Sequence, residues 1–588
     1  MRWRPLPPAL LRTRAAVRPA GRAALGALLA VLVSAVPACS GGDQPAAPTP
    51  APAPELPNTP PDNMTMEVWF TGGRDALTAV RDQVRAEALR TMLPATMAEA
   101  FDHLAPVPDS VKPRVRDDAP IVGVRVDDAQ VAAALVRTDE GQFPLGVGVT
   151  LVDGGPHGSR YVGRAPVVGE PITVLYQDVV LVARDRPELE ASLGYLVSRL
   201  RSAELGAPGL HIRSAEGVIA RRARTELEGA VDEQVAGALA AARAERSAHA
   251  DAPALGDPEA FVQTVASAVR ELTAYMPDIR AMTAWMGPTA HGLGFTLDTE
   301  LVPGSPAARA LARLPEVPSA LLGRFPQGTS LGMVLAPAAA GEGVLHALAE
   351  VGGQRMRPED TAAFAALAAS QREHAGGALM AGLGATDAGA FALLATPNGP
   401  GAEPAAIDAV LATPYMRALL GDLLGCPGDE PRRGLAVAAA TPVCTRAPAP
   451  VPALHHQRDD AHALLAITQS AAEATPHPLP AAYFSALGAE NDSHSLGALP
   501  DVSRALDSAA PRVLSAWVIM PGHLGQALGL LASTPARALG GALTLEIPPA
   551  PILVFVERTD DGARMRFSLT PGAFDQAART ALMTSQIF

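Results

Sequence analysis

Six arginines and no acidic residue occupy the first 22 positions (Arg2, Arg4, Arg12, Arg14, Arg18 and Arg22), followed by an apolar run from Ala23 to Val36, AALGALLAVLVSAV. A basic leader, a short apolar stretch and a small residue before a cut make a secretory signal. The run is too short to span a bilayer comfortably. The rest of the chain is therefore expected to fold after export, where disulfides persist.

The run ends in Val36-Pro37-Ala38-Cys39, then Ser40-Gly41-Gly42. This resembles the signal of bacterial lipoprotein precursors, a family in which the cysteine is lipidated and becomes the new N-terminus. Val36 and Ala38 fit that pattern and Pro37 departs from it. The resemblance implies lipidation, with palmitate-type chains, at Cys39 and removal of residues 1–38. It also implies a membrane partner reached through that lipid. Ser40 stands where Asp would mark inner-membrane retention, so the resemblance favours the outer membrane. The alternative is an ordinary signal cut after Ala38, with Cys39 a bystander. Residues 40–63 are rich in Pro and Ala, a composition that stays extended and suits a tether.

Without residues 1–38 the chain keeps 550 of its 588 residues, enough for two to four domains. Loss of six arginines moves the net charge from −13 to −19. Such an acidic body argues against nucleic acid and against a basic lipid-binding patch. Hydrophobic residues make up 48% and charged residues 18%, a globular balance. No later apolar run reaches the length of a membrane span.

Lys112 is the only lysine, against 46 arginines. A P-loop needs Gly-Lys-Ser/Thr, and Lys112 sits in Ser110-Val-Lys-Pro. A Ser-x-x-Lys acyl-transfer site is absent for the same reason. A Schiff base would have to use this one amine. Besides Cys39 there are two cysteines, Cys426 and Cys444. In an exported chain they are expected to form a disulfide, worth about 3 kcal/mol for a loop of this size. The alternative is two buried thiols.

Along the chain, Met66 to Phe70 alternates as a strand, and helices are expected over Ala76–Thr91 and from Pro94. Ile121–Val126 reads as a strand, and Ala129–Val136 as a short helix after Asp127-Asp128. Further strands are expected over Leu145–Val152 and Ile172–Ala183, and a helix from Arg186 to Leu200. Residues 214–276 read as a helical hairpin. Met282–Met286 and Leu293–Val302 read as a β-hairpin, with a helix after Pro306. Further on, a strand is expected over Ala378–Leu383, then a helix through Phe391, and another helix over Asp459–Ala474. Val513–Met520 and the pair Ile552–Glu557 and Arg564–Leu569 read as strands.

Three stretches recur in the same order. MEVWFTGGRDALTAV resembles GMVLAPAAAGEGVLHAL from Gly332, PATMAEAFDHL from Pro94 resembles PEDTAAFAAL from Pro358, and HGLGFTLDTELVPGSPAARALARL resembles DGARMRFSLTPGAFDQAARTALM. A bounded offset between matched positions is what tandem duplication with small insertions leaves. The expected architecture is α+β, two tandem repeats over 64–325 and 326–588, each a mainly antiparallel sheet with helices packed on one face.

Chemistry is thinly signalled. Gly328-Thr-Ser330-Leu-Gly332 matches G-x-S-x-G, but the strand follows the serine instead of preceding it, so no nucleophile elbow is expected. His455, Asp459 and His462, at i, i+4 and i+7, would share a helix face and are weak zinc candidates. A solvated helix N-terminus accounts for them equally, and no metal or other cofactor is assigned. Asp117-Asp118, Asp127-Asp128 and Asp560-Asp561 fit turns and caps. No catalytic residue is assigned. The tethered, duplicated plan is similar to uncharacterised lipoproteins of bacteria with GC-rich genomes, in architecture only. The expected function is a non-enzymatic, lipid-anchored cell-envelope protein that binds a partner protein or an apolar ligand. The alternatives are an envelope hydrolase, possibly metal-dependent, and a structural spacer.

Overall fold

A computed structural model describes the chain in stretches, chiefly residues 58–83, 93–127, 129–138, 150–153, 160–163, 172–183, 186–202, 205–222, 274–289, 292–336, 357–374, 377–386, 389–397, 401–416, 441–442, 452–470, 495–520 and 550–570. Cys39, Cys426 and Cys444 lie outside the described residues, as does most of the expected helical hairpin. The chain divides into two compact units. Unit 1 holds residues up to Val218, Ala281–Leu297 and the stretch from Phe574; unit 2 holds Ile219–Arg280 and Asp298–Ala573.

Unit 1 is built on β1 (Met64–Thr71), α1 (Gly73–Gln83), α2 (Met97–Leu104), β2 (Ile121–Val126), β3 (Ala129–Leu135), β4 (Thr150–Asp153), β5 (Arg160–Gly163), β6 (Ile172–Tyr176), β7 (Val179–Ala183), α3 (Arg186–Arg201) and β8 (Gly209–Ser214). The hairpin β9 (Ile279–Thr289) and β10 (Gly292–Leu301) follows. The strands run antiparallel in the order β4-β5-β6-β7-β3-β2-β1-β8-β9.

Alternation along these strands feeds two separate apolar layers. Val68, Phe70, Ile121, Ala132 and Val182 pack with Leu77, Met97 and Phe101 of α1 and α2. Trp69, Val122, Val131, Ala133 and Leu181 pack with Leu189, Leu193, Leu196 and Leu200 of α3. Helices therefore cover both faces of the sheet, which corrects the expectation of helices on one face. The cause is residue choice: β2, β3 and β7 are apolar at consecutive positions, the pattern of strands buried on both sides. The first turn of α2 is fixed by Thr96, whose hydroxyl accepts from the Glu99 amide at 3.1 Å, while the Glu99 carboxylate accepts from the Ala95 amide.

Unit 2 contains α4 (Pro306–Arg313), β11 (Val317–Pro318), β12 (Thr329–Leu335), α5 (Pro358–His374), β13 (Leu379–Thr386), β14 (Gly389–Thr396), α6 (Pro404–Leu411), β15 (Thr441–Pro442), β16 (Pro452–Arg458) and β17 (Ala463–Ser470). It continues with α7 (Pro500–Asp507), β18 (Arg512–Val513), β19 (Ser515–Ile519), β20 (Ile552–Thr559) and β21 (Gly562–Leu569). The order in its large antiparallel sheet is β15-β16-β17-β14-β13-β12-β19-β20-β21. Val334, Met380, Leu464, Ala516 and Phe555 face Leu322, Phe325 and Val502 on one side. On the other, Leu454, Leu465 and Ile467 face Ile407, Leu411 and Leu367. The Phe325 ring lies over Gly332 and Gly382, which are register partners on β12 and β13.

Three expected helices are strands. Ala129–Leu135 is β3, Gly389–Thr396 is β14, and Ala463–Ser470 is β17. All three are rich in Ala and Leu, good helix formers by intrinsic propensity. Pairing on both edges and burial on both faces override that preference. Asp127, with φ of +49°, makes the tight β2–β3 turn where a helix cap was expected.

Candidate functional site

Among the described residues, strand alternation gathers a half-buried apolar surface in unit 1. Met66 of β1 shares a face with Val68, whose register partner on β8 is Ile212; Ile212 in turn faces Ala284 on β9, and Leu210 faces Met286. Gly294 stands against the Trp285 ring, so Phe295 and Leu297 of β10 project to the opposite face, alongside Ala284 and Met286. Met66, Ile212, Met282, Ala284, Met286, Phe295 and Leu297 are all half-buried. Met66, Ile212 and Met286 border the core that α2 closes further along the sheet. This platform carries no titratable side chain. It can bind by area and dispersion, and its methionines can adjust to an irregular apolar shape.

The other face of the same strands is held rigidly. Four side chains converge on the carbonyls of the loop 205–208. Trp69 Nε1 donates to Leu205 O at 2.8 Å, and Thr71 Oγ1 donates to Ala207 O at 2.6 Å. His211 Nε2 donates to the same Ala207 O at 2.8 Å, and Trp285 Nε1 donates to Pro208 O at 3.2 Å. The His211 ring stacks on Trp69 at 4.9 Å with 7° between planes. Burial pushes the His211 imidazole below its ordinary pKa, so it is neutral near pH 7. Gly206, at φ +83°, lets the loop pass close to that ring.

Glu67 and Arg199 close the clamp. They meet at 2.6 Å, and the guanidinium also lies 5.4 Å above Trp69. Burial, helped by the Glu67 charge, pushes the Tyr195 phenol up to about 12. These are positioning groups: each is committed to a neighbour. Nothing in the sequence reading singled them out. The available signal was a glutamate alternating with a tryptophan in an otherwise apolar strand, MEVWF.

The zinc candidates lie on the β16–β17 hairpin, not on a helix, which removes the reason for placing them on one face. Asp459 and His462 do meet, at 3.3 Å, within a turn. Asp459 Oδ1 accepts from the amides of Ala461 and His462, and these bonds, the Ala461 one foremost, hold its carboxyl below the usual range. His455 instead pairs with Thr468 Oγ1 at 2.8 Å, inside the sheet. Among the described residues no group of three or more His, Cys, Asp or Glu side chains is placed to hold a metal ion. Ser330 is fully buried at the start of β12, with no base beside its hydroxyl. Lys112 is held by Asp102 at 2.9 Å and Asp109 at 3.1 Å, and these bonds, that to Asp102 foremost, raise its pKa. Near neutral pH it is therefore an ammonium, not a nucleophile.

No protein-family model matches the sequence, and no curated protein matches it. Among solved structures the chain is similar to TP0453. Crystal form I of that protein is 10% identical, with a TM-score of 0.20, over 42% of this chain and 79% of that chain. Crystal form III is 9% identical, also with a TM-score of 0.20, over 41% and 78%. Overlap this low carries no argument about fold or ligand. Among the described residues no helix is long and apolar enough to cross a membrane.

Proposed function

We propose that this protein is a non-enzymatic, lipid-anchored component of the bacterial cell envelope, anchored through Cys39, that binds an apolar ligand on unit 1. One observation carries the reading: the half-buried platform of Met66, Ile212, Met282, Ala284, Met286, Phe295 and Leu297, free of titratable groups and backed by a rigid clamp. A partner protein presenting an apolar segment is the companion reading, and the same surface serves it. The test is the uptake of an environment-sensitive fatty-acid probe by the full chain. Binding that Met286→Asp and Phe295→Asp weaken at least tenfold, with thermal stability retained, supports the apolar-ligand reading. Equal binding in both variants removes it.

We further infer that the units descend from one duplicated module. The support is their pairing order. β1, β2, β3, β7, β8 and β9 occupy the places that β12, β13, β14, β17, β19 and β20 occupy in unit 2. Among the described residues, helices separate the first two of these strands in each unit, α1 and α2 in one and α5 in the other. In each a later helix, α3 or α7, precedes the strand that pairs back to the first. The recurring sequence stretches fall on matched elements, β1 with β12, α2 with α5 and β10 with β21.

A further inference from the structure

His456 is 1% exposed, and neither of its ring nitrogens has a hydrogen-bond partner. Its register partner on β17 is Leu465, and alternation puts it on the face of Leu454, Leu465 and Ile467. That face is closed by Ile407 and Leu411 of α6 and by Leu367 of α5. The imidazole therefore lies in an apolar layer between the sheet and two helices.

The charged groups near it, among the described residues, come from two elements. Arg458 stands two residues along β16 on the same face, and Asp408 comes from α6. β17 presents Leu465 and α5 presents Leu367, which are apolar. At the margin of this layer the helices are tied together: the Glu403 amide donates to Ser370 Oγ at 2.7 Å, and Arg458 Nη1 reaches Ala402 O and Glu403 Oε2, each at 3.4 Å. His374 Nε2 lies 3.3 Å from Glu403 Oε1.

We infer that His456 makes the α5–α6 layer of unit 2 an acid-sensitive cover, closed over β16 and β17 when the imidazole is neutral and loosened when it is protonated. A protonated ring here carries a charge and two N–H donors without partners, the costly case for a buried group. Burial first, then Arg458, hold its pKa below the ordinary 6.5, with Asp408 pulling the other way. The sign follows. Below pH 6.5 the open or unfolded chain takes up the proton more readily than the closed one, so closure weakens as pH falls. The loss stops once the buried ring itself is protonated. Each pH unit inside that window lowers the closed-to-open ratio by up to about tenfold. Under the export reading the chain meets external pH directly, where such a response has a use.

The test is hydrogen exchange of the full chain at pH 7.5 and 5.0, corrected for intrinsic rates, in wild type, His456→Phe and His456→Leu. The proposal expects about tenfold loss of protection at pH 5.0 in wild-type peptides from α5 and α6, none in α3, and no pH response at α5 and α6 in either variant. An unchanged wild type, or the same acid response in a folded variant, overturns it. Should both variants fail to fold, titration of the His456 ring in wild type decides. A ring that protonates without loss of protection in α6 overturns the proposal, and coincident changes support it.

Discussion

Arg199 of α3 and Glu67 of β1 meet at 2.6 Å across a helix–sheet interface, with the Glu67 side chain only 5% exposed. Removing one partner strands the other beside an apolar layer, whereas removing both need not. Arg199→Met is expected to destabilise unit 1 by about 3 kcal/mol, at the low end of the buried-pair range because the guanidinium keeps some solvent. The double variant Glu67→Met/Arg199→Met should lose less than the single one. Urea titrations of the four proteins check the cycle, and additive losses would contradict a paired role.

Gly382 is expected to tolerate no side chain. A Cβ there would stand 2.8 Å from Cε1 of Phe325, which is itself fully buried. Gly382→Val should cost about 3 kcal/mol by overpacking. Restoring room with Phe325→Leu should recover part of it, as measured by thermal unfolding.

The Tyr195 phenol provides an alkaline signature. Its folded pKa, about 12, lies above the ordinary 10. Between those values the unfolded chain ionises first, so stability is intact below pH 10 and falls as pH rises toward 12. Denaturant midpoints from pH 9 to 11.5 should decline, and Tyr195→Phe should flatten the decline. An equal slope in the variant would assign the effect to other groups.

Asp459 is read as a turn residue, not as a ligand. Asp459→Ala should cost about 1 kcal/mol by freeing the Ala461 and His462 amides. His455→Ala and His462→Ala should leave the zinc content of purified protein unchanged. A stoichiometric zinc lost in those variants would reinstate the hydrolase alternative.

Much of the fold was legible where residue chemistry is locally decisive. The Asp560-Asp561-Gly562 turn announces the β20–β21 hairpin, Pro306 after Ser305 starts α4, and the leucine spacing of 189–200 marks α3. What failed was alanine. In β3, β14 and β17 the identity of the element is decided by strands distant in sequence, and Ala–Leu periodicity does not report them. The platform was hidden for a related reason. Met66, Ile212, Met286 and Phe295 come from four segments whose neighbourhood exists only through β1–β8–β9 pairing. The clamp on residues 205–208 relies on backbone carbonyls, which leave no trace in side-chain identity. His456 shows in the sequence only as the second of two adjacent histidines, and its isolation depends on α6 closing over β16.

The central claim is that this chain carries an apolar ligand while anchored in the envelope. The most direct measurement is native mass spectrometry of the full chain purified from membranes, followed by solvent extraction. The account predicts an N-terminus at acylated Cys39, plus a second apolar mass that is extractable from wild type and absent from Met286→Asp. An unmodified Cys39 together with a clean apo mass would contradict it.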